Sequence, residues 1–417
     1  MFKEYKRPWP KGERPPDWKD PVCGGKYVVM LQKHVAALRR EHADGMHGNQ
    51  RLFADDVVLA HLLAFYNPTL KSLRTIEDFS QSRQARKHLT VRKICRSTLA
   101  DFHRLVDPTL LQPIIARLHG EARAKGRLPT DLPETLGQVL AVDGSFFALA
   151  ADVAWAVKHK TNNGNKRASA RLDVHLDVST WVPEVVDVYG AGTSEAASAV
   201  KHVRAGAIYV FDRGIFSFEL IKAQLDVGAF FVHRLCEPGE RTPKFEVHEE
   251  RPLTDQDRAA GVLSDRLGRF VGSTHRTAPE AVLREVVIAS PGEPSGHIRL
   301  LTNLTDLEAH LLGLIYRYRW QVELFFRWLK TFANFDHLLS ESRSGILLSF
   351  YVAVIGTLLM YLFTGAKPSI YAFNLLSMVA SGGATLEEIM PILKERERRI
   401  ALDKASLARR QAKKKNG

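Results

Sequence analysis

Past Pro129 the hydrophobic period of this chain changes from that of helices to that of strands, and this change constrains the fold most. TLGQVLAVDGSFFAL is an apolar run ending near Asp143, and ARLDVHLDVST alternates apolar with polar side chains. WVPEVVDVYG reads as its hairpin partner, and AIYVFDRG is a short apolar strand ending on Asp212. Between the last two, TSEAASAVKHV predicts a helix with a Thr/Ser start. The helix FSFELIKAQLD and the strand AFFVHRL follow. Strands in this order with intervening helices predict a mixed α/β sheet.

That order is the one expected of an RNase H-like domain, assigned to residues 131–235 and 297–375. Residues 236–296 are polar and turn-rich, with short strands such as KFEVHE, RFVGS and REVVIA, and read as a β-rich insertion. Residues 1–25, with five prolines, read as an extended arm. Residues 26–130 predict short helices: AALRREHADG ends on a glycine, and FADDVVLAHLLAFYNPTL is stopped by Asn67-Pro68. Ser97-Thr98 is the expected N-cap before LADFHRLV. Short helices with basic residues between them suit a DNA-binding domain of the helix-turn-helix kind. Residues 376–417 read as a basic helical tail, and its RRQAKKK end as a solvated tail or the end of a dimerisation helix.

The distribution of charge supports a polyanion as partner. Residues 1–130 carry 24 basic and 13 acidic side chains, residues 391–417 carry 10 and 3, and the middle is acidic at 25 against 30. Basic flanks can grip a polyanion while an acidic centre gathers carboxylates around a cation. Three widely spaced cysteines make neither a disulfide framework nor a zinc cluster, and the polar N-terminus excludes a secretory signal. The uncharged run from Gly345 to Ala366 is long enough to cross a bilayer. Being single, and preceded by an amphipathic helix, it is expected to be the buried central helix of a large core.

Two aspartates end strands here: Asp143, before Gly144-Ser145, and Asp212, before Arg213-Gly214. Strand ends are where open α/β sheets bind ligands. The third group of interest is the helix expected over 305–335. On a regular wheel, Tyr316, Arg319, Glu323, Arg327 and Lys330 share one arc of about 80°, while Ile315, Val322, Phe325, Phe326 and Leu329 take the opposite side. Asp143, Asp212 and Glu323 together make a three-carboxylate cation site. Oxygen ligands favour Mg²⁺ or Mn²⁺ over zinc. The flanking cations suit phosphates, and two metals about 3.5–4 Å apart perform phosphodiester cleavage.

The spacing Y-x2-R-x3-E-x6-K at Tyr316, Arg319, Glu323 and Lys330 resembles the signature of the DDE cut-and-paste transposases of bacterial insertion sequences. AVDGSF around Asp143, VFDRGIFS around Asp212, LLTNL (300–304) and FFRWLK resemble the same family, which also carries a β insertion before its glutamate. The likeness is close over 135–345. It implies that Asp143, Asp212 and Glu323 bind two divalent ions and perform hydrolysis and strand transfer. It also implies that Tyr316, Arg319 and Lys330 touch the DNA backbone near the cleaved end. Arg327 and Arg213, beside these groups, join them as candidate DNA contacts. The implied partners are double-stranded transposon ends and target DNA, with a homodimer in the end complex. The implied place is a bacterial cytoplasm at the nucleoid. A tryptophan often holds a flipped base in the family's insertion, but residues 236–296 contain none.

Three rival readings are distinct. An RNase H-like nuclease or junction resolvase would cleave without joining. A transposase-derived DNA-binding protein would bind without cutting, though the intact carboxylates argue against it. A membrane protein would be betrayed by fractionation.

Overall fold

A computed structural model describes residues 38, 52–67, 70–83, 85, 89, 91–124, 131–149, 153–160, 166–190, 192–237, 244–271, 278–332, 338–364, 369–380 and 384–415. The expected 1–25 arm lies outside the described residues, as does the helix ending on Gly45 except for Leu38, which is helical and buried. The chain forms two compact units, 126–327 and a second made of 1–125 with 328–417.

The second unit is helical where described. Helix Ala54–Tyr66 stops at Asn67, ahead of Pro68, and is buried along its length. Helix Leu73–Ser80 starts with a capping box between Ser72 and Thr75. Helix Arg96–Leu105 begins one residue before the expected cap, with Cys95 at the N-cap, so Ser97 and Thr98 lie inside its first turn.

The apolar run forms helix Arg343–Thr364, and 89% of its most apolar stretch is buried. It packs on helices 54–66, 96–105 and 112–124. The Tyr66 hydroxyl donates to the Gly356 carbonyl at 2.7 Å, and a Cβ on Gly356 would lie 2.6 Å from the Phe65 ring. The described residues of 328–375, a stretch expected to belong to the catalytic region, group by contacts with the N-terminal helices. An all-apolar helix fits either core equally well, so composition does not choose between them.

The other unit is one ten-stranded mixed sheet. Its strands are β1 (Val139–Leu149), β2 (Val157–Lys160), β3 (Lys166–Asp177), β4 (Val182–Tyr189), β5 (Ile208–Phe211), β6 (Phe230–Leu235), β7 (Phe245–Glu250), β8 (Val262–Phe270), β9 (Leu283–Ala289) and β10 (His297–Thr302). The order is β2-β3-β1-β5-β6-β10-β9-β8-β7, with β4 also on β3. β1, β5 and β6 run parallel, while every other pairing is antiparallel. Helix Glu195–Val200, between β4 and β5, is capped by Ser194, and helix Phe218–Asp226, between β5 and β6, is capped by Ser217. Leu140, Val142, Tyr209 and Phe211 form one apolar cluster with Ala199, Ile215 and Leu220, which places both helices on one face of β1 and β5.

The described strands of the β-rich stretch 236–296 belong to this same sheet. β10 returns beside β6, and β9, β8 and β7 extend it outward. Arg284 on β9 is fully buried, holds Asp265 of β8 at 2.7 and 2.8 Å, and donates to the carbonyls of Leu304 and Thr305. Asp257 accepts from the backbone N–H of His310 at 2.9 Å. Both contacts fix the start of the helix that follows β10.

The helix expected over 305–335 is broken in two, Ala309–Arg317 and Trp320–Phe332. At the break, Tyr318, Arg319, Gln321 and Val322 donate to carbonyls three residues back, the tighter 3₁₀ pattern. No proline or glycine marks the spot. The cause is tertiary: the Tyr318 hydroxyl accepts from the Asp131 N–H, and Phe325 packs edge-on against Trp181 at 5.3 Å. Trp181 is buried at the β3–β4 turn with φ of 58°, a left-handed conformation unusual for a bulky residue.

Candidate active site

Register builds the site from the sheet outward. Val142 pairs with Phe211, and Phe211 pairs with His233, all in parallel strands. The next positions along are Asp143, Asp212 and Arg234, side by side. Val142 and Phe211 belong to the apolar cluster on one face, so the following side chains point to the other. The helix pair 309–317 and 320–332 supplies the remaining groups.

Asp212 is half-buried; its Oδ1 accepts from the Tyr316 hydroxyl at 3.0 Å and lies 3.8 Å from Arg234 Nη1. Arg234 also donates to Glu293 at 2.6 Å. Arg319 sits over the Tyr316 ring at 5.8 Å and donates through Nη2 to Glu323 Oε1 at 2.7 Å. Arg319 is 9% exposed, and its Nε has no partner. A buried guanidinium with a spare donor is built for an acceptor such as a phosphate oxygen.

Burial pushes the Asp143 carboxyl up to about 7, and the charges of Glu195 and Glu323 add to the rise. The Gly144 N–H, 2.9 Å from Oδ1, and Arg319 act against it. Burial, with the Asp212 charge, raises Tyr316 to about 12, so its hydroxyl remains a donor. Asp143, Asp212 and Glu323 are each half-buried and offer only oxygen donors, a donor set that would suit Mg²⁺ or Mn²⁺ rather than zinc.

Of the residues singled out in the sequence, Asp143, Asp212, Glu323, Tyr316 and Arg319 fall into this one network. Arg213 is exposed on the turn after Asp212, and Arg327 is exposed on the glutamate's helix. Lys330 is half-buried on that same helix, about two turns past Glu323. Sequence reasoning missed Arg234 and Glu195. Asp143, expected to end its strand, lies inside β1, which runs on to Leu149 against β3; it shares with Asp212 and Arg234 the position just past the last parallel pair, so the register rule applied to cations as well as carboxylates would have found Arg234.

Residues 134–359 match the family model described as the transposase DDE domain. A putative transposase, y4zB, of Sinorhizobium fredii is 26% identical over 241 residues, 58% of this chain and 61% of that protein. A probable transposase for insertion sequence element IS5377 of Geobacillus stearothermophilus is 24% identical over 253 residues, 60% of this chain and 61% of that one. The chain thus spans about three-fifths of the length of each of these relatives. A cryo-EM structure of piggyBac transposase in a synaptic complex with hairpin DNA is 13% identical, covering 87% of this chain and 78% of that one, at a TM-score of only 0.37. The family model spans more than half of the chain, which therefore belongs to the DDE-domain transposases of insertion sequences.

Proposed function

We propose that this transposase binds the terminal inverted repeats of its own insertion sequence, cuts the DNA there and joins the ends to a target, on an RNase H-like core. The observation that carries the proposal is the register that sets Asp143 and Asp212 side by side on one face, with Tyr316 tying Asp212 to the helix pair that bears Glu323.

In this reading Asp143, Asp212 and Glu323 hold two Mg²⁺ or Mn²⁺ ions. Such ions activate the attacking oxygen and stabilise the leaving one. Tyr316 keeps its proton and orients the Asp212 carboxylate. Arg319, with its unpaired Nε, grips the phosphate beside the scissile bond, and Arg213, Arg327 and Lys330 follow the backbone further along. The helical segment within 26–130 supplies recognition of the ends. Its exposed Lys71, Arg74, Arg92, Lys93, Arg96 and Arg104 support that role. The DNA-bound form is proposed to be a homodimer at the nucleoid.

DNA carrying the repeats that flank the gene, with Mg²⁺, tests this. The full chain should nick at the repeat boundary and transfer the 3′ end to a target plasmid. Asp143→Ala, Asp212→Ala and Glu323→Ala should each abolish cleavage while retaining end binding. Cleavage without joining would mean a nuclease instead, and unimpaired cleavage by any of the three variants would refute the triad.

A further inference from the structure

Arg234 stands next to Asp212 in the row across the sheet, yet it stops short of it and binds elsewhere. Its Nη1 lies 3.8 Å from Asp212 Oδ1, beyond hydrogen-bond reach, while its Nη2 donates to Glu293 Oε2 at 2.6 Å. A guanidinium beside a carboxylate commonly closes on it with two parallel hydrogen bonds. Arg171 does so with Asp173, at 2.7 and 2.9 Å, and Arg284 with Asp265, at 2.8 and 2.7 Å, both in this same sheet. The Asp212 carboxylate instead accepts only from the Tyr316 hydroxyl among the described residues, through Oδ1. Its Oδ2 accepts nothing from them.

Glu293 comes from the turn between β9 and β10, and that turn is braced. The Ser290 N–H donates to the Gly296 carbonyl at 2.7 Å, Gly296 to Glu293 at 2.9 Å and Glu293 to Ser290 at 2.9 Å. Pro291 and Pro294 fix the backbone between these bonds. The side chains of Arg234 and Glu293 are 14% and 28% exposed, so their ion pair is screened less than one on the open surface.

We infer that Glu293 is a positioning residue for Asp212, acting through Arg234: by occupying one arm of the guanidinium it keeps Arg234 beside Asp212 but off it. The inference rests on the reading that Asp143, Asp212 and Glu323 form the reacting, metal-binding triad. Without Glu293, Arg234 is free to cross the remaining gap and clamp Asp212 as Arg171 clamps Asp173. It would then take the oxygens that the triad reading reserves for a cation.

The test uses the full chain and two readouts, single-turnover nicking of bound repeat DNA with Mg²⁺ and calorimetric titration of the free protein with Mn²⁺. Melting curves show that each variant is folded. Glu293→Ala should slow nicking and weaken Mn²⁺ binding tenfold or more. Removing the arginine as well, in Arg234→Ala/Glu293→Ala, should recover most of both losses, which a pair needed only to brace the turn would not do. Wild-type values in Glu293→Ala, or a double variant no better than the single one, would overturn this inference, and an inactive Asp212→Asn would then leave the triad standing. Wild-type nicking by Asp212→Asn, or no nicking by the wild-type chain, would overturn both. Should Glu293→Ala fail to fold, Glu293→Gln, which keeps an acceptor without the charge, carries the same comparison with the same outcomes.

Discussion

The Tyr316 hydroxyl donates to Asp212 Oδ1 at 3.0 Å, joining the helix pair to the end of a central strand. A hydrogen bond to a charged group contributes about 1.5–3 kcal/mol. Tyr316→Phe should therefore slow cleavage roughly ten- to a hundredfold, while circular dichroism and end binding stay near wild type. Cleavage at the wild-type rate would show that the bond does not orient the carboxylate.

The acidity of Asp143 gives metal binding a pH dependence of known sign. In the role proposed for it, Asp143 binds a cation only when ionised, and burial raises its carboxyl to about 7. Mn²⁺ affinity of the free chain should rise about tenfold per pH unit up to 7 and level off above it, as measured by titrations between pH 5.5 and 8.5. A plateau already reached at pH 5 would contradict the raised value.

The same shift works against stability in the metal-free chain. A carboxyl whose folded pKa lies above its unfolded one favours folding at low pH and loses that contribution as pH rises from about 4 through 7. Asp143→Asn should thus raise the melting temperature of the metal-free protein at pH 8, by the equivalent of about 1–3 kcal/mol. Unchanged melting would mean that the site is wetter than its geometry implies.

Buried histidines act in the opposite direction. His175 and His233 are fully buried, and desolvation lowers each to about 3. The unfolded chain takes up protons near 6.5 where the folded one does not, so stability is intact above that pH and drains away between about 6.5 and 3. Melting curves of Asp143→Asn, which lacks the opposing carboxyl, should fall steadily on acidification below pH 6.5 and stay flat above it.

On the helix itself, Val322 is fully buried and Arg319 borders the carboxylates. Val322→Asp should unfold the sheet unit, because an unpaired charge would be forced into its core. Arg319→Ala should leave the fold intact and weaken end-complex assembly or cleavage roughly ten- to a hundredfold, read by gel shift and strand nicking. The opposite pattern would mean that the helix presents another face.

Much of this site was legible in the sequence because strand ends and residue spacing are local. Asp143 and Asp212 close apolar runs, and the spacing from Tyr316 to Glu323 survives the break in the helix. What escaped depends on tertiary contact. The break at Tyr318–Arg319 has no proline or glycine to announce it and follows from side chains anchored at Asp131 and Trp181. Glu195 sits 52 positions after Asp143 on a short helix, and only the packing of that helix on β1 brings it beside Gly144. The apolar helix 343–364 carries no mark of which core it joins.

The clamp that Arg284 and Asp257 place on the start of helix 309–317 has an evolutionary corollary. The strands between β6 and β10 act as a jig for the helix that carries Tyr316, rather than as freely exchangeable decoration. A chimera that takes this stretch from a relative would inherit the relative's aim for the tyrosine along with it. Divergence in those strands, far along the sheet from the carboxylates, is therefore a route by which one insertion sequence can retune its chemistry without altering a single residue of the triad.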